Sequence, residues 1–153
     1  MSPHFGLMDE DELGPHNSLL QRSRLHLRCG WRRMNEKKIK HGLCTLYDAL
    51  VHAMQWYIHP QLHGEDLGLD IRDSDDLADG ADLWAILERS GVLCSEVFDY
   101  AGFERLMEEG LEGPEELEVD QISLNADLDT VLRRLGVLPF DETSLPEPDP
   151  DVF

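Results

Sequence analysis

A chain of 153 residues suits one domain, large enough to bury roughly 68–70% of its unfolded surface in a real core. No apolar run approaches the ~18 residues of a membrane-spanning helix, and three cysteines without CxxC spacing argue against a disulfide framework or a thiolate zinc site. The net charge of −19 is unevenly spread: residues 1–15 carry four acids and no base, residues 16–41 hold five Arg and three Lys against Glu36 alone, and the rest is strongly acidic.

Residues 1–15, MSPHFGLMDEDELGP, read as a flexible acidic leader punctuated by Gly14-Pro15. They lack the basic start and apolar core of a secretory signal, which points to a cytoplasmic protein. There Cys29, Cys44 and Cys94 are expected to stay reduced and to pack as small hydrophobes. A helical bundle is then expected over 16–138. Ser18 and Gln21 fit a capping box, and Leu20, Leu27, Trp31 and Met34 form the apolar stripe of a first helix. Arg22, Arg24, Arg28, Arg32 and Arg33 occupy its other faces.

The spacing predicts a second helix over Lys37–Ile58. Leu43, Leu46, Leu50, Ala53, Met54 and Tyr57 share one side at helical period. His41, Thr45, Asp48, His52, Gln55 and His59 follow steps of four and three along the opposite side, turned away from the core. Asn35 is the expected N-cap and Pro60 the stop. Gly42 is expected where a neighbouring helix crosses closely, since it costs about 1 kcal/mol against Ala in a helix interior. The short join makes the first two helices an antiparallel hairpin.

A polar loop, 61–74, precedes a third helix capped by Asp73 or Ser74 and carrying Leu77, Ala81, Trp84 and Leu87. Gly91 with Val92 fits a Schellman stop. A short helix follows over about 99–109, with Phe103, Leu106 and Met107. Pro114 is a candidate helix opener, and 117–123 is ambiguous between helix and strand. Leu124, Leu128, Val131 and Leu135 mark a last helix stopped by Gly136. Residues 139–153 form a proline-rich acidic tail, expected to be extended or disordered. The segments ADLWAILERSGVL (81–93) and ADLDTVLRRLGVL (126–138) match at eight of thirteen positions. Either a duplicated unit or a shared glycine stop rule accounts for that. The expected fold is all-α, about five helices around the N-terminal hairpin.

Candidate chemistry is sparse. Asp48 and His52, four residues apart, can reach one metal ion or one proton-transfer partner. His59 and His63, beside Glu65 and Asp66, form a second loose metal-ligand cluster. His41 and His59 lie eleven and seven residues from His52, roughly 16 and 10 Å along the axis, so further ligands must come from another element. No other cofactor is expected: neither GxGxxG nor GxxxxGK[ST] occurs, and GxSxG is absent too. Trp31, Trp56 and Trp84 read as core or interface anchors.

The basic stretch admits three uses. It complements the acidic body within the fold or across a homodimer, it takes an acidic protein partner through Arg24, Arg28, Arg32 and Trp31, or it binds nucleic acid through residues 22–40. The acidic body opposes the last of these within a Debye length. The acidity itself is also what a saline cytoplasm favours.

Residues 19–58 resemble the opening hairpin of HEPN domains, in which an Arg- and Leu-rich helix precedes one of the form aromatic–x–Ala–x–x–His–Ala. Tyr47, Ala49, His52 and Ala53 carry the resemblance. It implies a four- or five-helix bundle, dimerisation through the hairpin and an RNA- or nucleotide-associated role. The ribonuclease members separate Arg from His by four to six residues. Here Arg22 and His26 are separated by three and Arg33 and His41 by seven, so cleavage does not carry over. The reading is a non-enzymatic interaction or accessory protein. An RNA-associated protein and a metal-dependent enzyme built on Asp48 and His52 are the competitors.

Overall fold

A computed structural model describes residues 7–112 and 118–147. Among them the chain forms five α-helices and no strand: α1 Glu10–Asn35, α2 Ile39–Leu62, α3 Gly80–Arg89, α4 Tyr100–Glu112 and α5 Gln121–Leu135, with a 3-10 turn at Glu142–Ser144. The all-α bundle and its N-terminal hairpin are as the periodicity predicts. Pro114 lies outside the described residues.

The second helix is the hub, touching each of the other four. Leu43, Leu46, Leu50, Ala53 and Met54 are fully buried, while Tyr57 is half-buried against the same cluster. The hairpin closes through two reciprocal notches. A Cβ on Gly42 would lie 2.7 Å from Met34 Sδ, and one on Gly30 would lie 2.7 Å from Leu46 Cδ2. Each helix thus gives up a side chain where the other inserts one. Ser23 Oγ adds a 2.8 Å hydrogen bond to the Ala49 carbonyl across the seam. Gly42→Ala is therefore expected to destabilise by about 1 kcal/mol net, because overpacking costs about 1–3 kcal/mol and better helix propensity returns about 1. A lowered urea midpoint checks this; a raised one would show that the seam is loose.

Helix boundaries differ from the sequence reading in several places, and local hydrogen bonds account for the starts of the first and third helices. The first helix starts at Glu10 rather than Ser18. Asp9 caps it by accepting from the Asp11 and Glu12 amides, and Gly14 (φ 79°) breaks it before Pro15. Ser18 is buried mid-helix instead. Asn35 is the last residue of α1, not the cap of α2, whose N-cap Lys38 makes no side-chain capping hydrogen bond. The third helix starts at Gly80 under an Asp79 cap. Upstream, Asp75, Asp76 and Asp82 carboxylates accept the amides of Arg72, Ala78 and Asp76, and such local bonds compete with helix. Finally α2 runs through Pro60 to Leu62.

The two segments alike in sequence end alike. Val92 donates to the Leu87 carbonyl at 2.9 Å and Val137 to that of Leu132 at 3.0 Å, with Gly91 and Gly136 both at positive φ. Their starts differ, since α3 begins one residue before its segment and α5 five residues before. A common stop rule is what they share in three dimensions. Beyond it, the described part of the acidic tail is folded, not extended throughout. Asp141 accepts from the Thr143 amide at 2.9 Å, and Leu145 is buried.

Candidate functional site

The predicted polar stripe of α2 faces open solvent only at His41 and Asp48. Much of it lies along α1, which crosses it. Thr45 is buried, its Oγ1 accepting from Arg33 Nη1 at 2.6 Å and donating to the His41 carbonyl at 2.7 Å. His52 Nδ1 donates to the Asp48 backbone carbonyl at 2.7 Å, and its ring centroid lies 5.5 Å from that of buried His26. A carbonyl only accepts, so both rings carry hydrogen on Nδ1 (His26 bonds the Arg22 carbonyl at 2.8 Å). The Asp48 side chain reaches solvent, and desolvation by the helices packed around it holds the carboxyl above the usual carboxylate range. Among the described residues, no three His, Cys, Asp or Glu side chains are placed to hold a metal ion.

Pro60 explains a second arrangement that the sequence reading missed. Its missing N–H leaves the Trp56 carbonyl without its helical donor, and His16 Nε2 fills the vacancy at 3.2 Å. His16 thereby stacks on Trp56 (centroids 5.6 Å, planes 14° apart) and on His59 (5.1 Å, 5°). His59 lies 4.1 Å from the His63 ring. Predicted ligands His59 and His63 thus do come together, joined by His16. A proline inside a helix was the available signal, because it demands a donor from elsewhere.

Burial, then the neighbouring His63 and His16, hold His59 below its ordinary pKa of 6.5. The unfolded chain therefore takes up the proton first, and stability falls as pH drops below 6.5 toward the depressed folded value. Melting temperature is expected to be lower at about pH 5.5 than at about pH 7.5, with the drop reduced in His59→Gln. An unchanged drop in that variant would assign the effect to other groups.

A third cluster is a tyrosine pair. Tyr47 and Tyr100 hydroxyls lie 2.8 Å apart, and Tyr47 donates to Glu104 Oε2 at 3.3 Å. Burial pushes both phenols up, so they stay protonated. Tyr100 stacks on Trp84 (5.4 Å, 11°). The arrangement ties α2, α3 and α4 together as a structural joint.

The predicted partner-binding residues are the most unusual electrostatically. Arg24 is half-buried and Arg28 buried, whereas Arg32 is exposed. Arg24 Nε donates to the Val137 carbonyl at 3.1 Å, and its guanidinium sits 5.3 Å from the Phe140 ring centroid, a cation–π contact. The start of the tail therefore crosses this face of α1. Arg28 is only 7% exposed, yet its Nε and Nη2 find no acceptor among the described residues, and neither does the buried Nε1 of Trp31 one turn on. Burial lowers the Arg28 pKa, as does Arg32, while Glu142 opposes them. Each orphaned donor costs about 1–3 kcal/mol. No family model matches the chain, and neither a curated protein nor a solved structure does.

Proposed function

We propose that the chain is a non-enzymatic interaction protein whose contact surface is the arginine face of α1. One observation carries the reading: Arg28 and Trp31 hold three buried N–H groups that find no acceptor among the described residues. Native interiors satisfy nearly all such groups, and of the six buried side-chain atoms without a partner among the described residues these three cluster on one helix face, as a surface awaiting a partner would have them. Arg32 forms the exposed rim of that face. The Glu142 carboxylate of the tail lies close enough to Arg28 to favour its charged form. The Asp48–His52 pair supports catalysis less well, because the His52 Nδ1 proton is engaged within its own helix.

A photo-crosslinking residue in place of Arg32 tests this in cells, with the same residue in place of exposed Glu88 on α3 as the control. The expected result is a discrete protein adduct from position 32 and none from 88. Equal labelling at both, or no adduct at 32, would overturn the reading. An adduct destroyed by ribonuclease would instead favour the RNA-associated role that the HEPN resemblance implies, and one of doubled chain mass would identify a homodimer.

A further inference from the structure

We infer that Arg28 and Trp31 form a carboxylate-binding site for an acidic segment of a partner protein, roofed in this state by the chain's own Val137–Glu142. The inference rests on the interaction reading above and names the chemistry of its partner.

The three orphaned groups are donors only. A guanidinium has no acceptor, and an indole offers a single N–H. What completes them must therefore bring oxygen lone pairs and negative charge. Arg28 Nε and Nη2 belong to the planar fork that matches a carboxylate or phosphate through two parallel bonds. One observation favours the carboxylate. The group that this arginine already attracts is the carboxylate of Glu142.

The roof fits the site incompletely. It engages Arg24 through the Val137 carbonyl and the Phe140 ring. It brings the Glu142 charge close enough to favour the charged form of Arg28 against its burial, yet among the described residues no acceptor reaches Arg28 Nε, Arg28 Nη2 or Trp31 Nε1. A segment that supplies those acceptors gains what the roof leaves unmade. Displacement of the roof is thus coupled to binding, and the tethered strap competes at high effective concentration.

The test titrates fluorescein-labelled deca-glutamate and a ten-nucleotide uridine RNA separately into the full-length protein, read by anisotropy and by the Trp31 indole ¹H–¹⁵N resonance. Deca-glutamate is expected to bind and to shift that resonance. Arg28→Met should weaken binding about tenfold or more, and Phe140→Ala, which loosens the roof, should tighten it about tenfold. Trp31→Phe, which keeps the ring and removes the N–H, should weaken it less than Arg28→Met. Thermal melts of each variant establish that it is folded. Binding of RNA but not deca-glutamate, equal affinity in Arg28→Met, or no change in Phe140→Ala would each overturn the inference. A protein adduct from position 32 without deca-glutamate binding would sink the carboxylate site while leaving the interaction reading standing. Absence of both would sink the two together.

Discussion

Leu50→Ala is expected to lower the free energy of unfolding by about 2–5 kcal/mol. Leu50 is fully buried on the helix that touches the other four, so neighbours from several directions are held by the rest of the bundle and collapse poorly into the space left. Against a typical total of about 5–15 kcal/mol, a loss at the upper end leaves a substantial unfolded population at body temperature. Equilibrium urea unfolding checks it, with the slope unchanged and the midpoint lowered. A loss no greater than that of a substitution at exposed Leu111 would mean that α2 is not the centre of the core.

Arg28→Met is expected to act in the opposite sense, raising stability by about 1–4 kcal/mol, the range found when buried charged groups give way to apolar ones of similar volume. The charge sits in a 7%-exposed position with two nitrogens lacking acceptors among the described residues. Its burial penalty is therefore not returned by hydrogen bonds, and Met fills a similar space without it. Trp31 keeps its indole contacts with the core. The same denaturation experiment reads the gain. A loss of stability would show that Arg28 is satisfied in solution and would weaken the functional reading as well. Stability rising while peptide affinity falls is the signature of a residue kept for binding.

Legibility in the sequence followed the range of the interaction. The stripe of α2 was readable because burial of one helical face imposes its own period, and Leu43, Leu46, Leu50, Ala53 and Met54 are all fully buried. The glycine stops at 91 and 136 were readable because the left-handed geometry is local. The α3 start was misread because Asp side chains at 75, 76 and 82 compete for backbone amides, an outcome that helical periodicity does not encode. Of the candidate site, Arg24, Arg28, Arg32 and Trp31 were legible as a basic face with an aromatic. Their unequal burial was not, since it depends on where a segment more than a hundred residues away returns.

The residues alone determined an all-α chain with an amphipathic second helix as its core, because periodic burial and chain-local stop signals act within a few turns. Tertiary structure decided that part of the polar side of that helix lies against α1, that His16 replaces the donor removed by Pro60, and that the tail engages Arg24 while Arg28 Nε and Nη2 find no acceptor among the described residues. Those outcomes depend on contacts between parts of the chain remote in sequence, where only the assembled packing sets which polar groups meet.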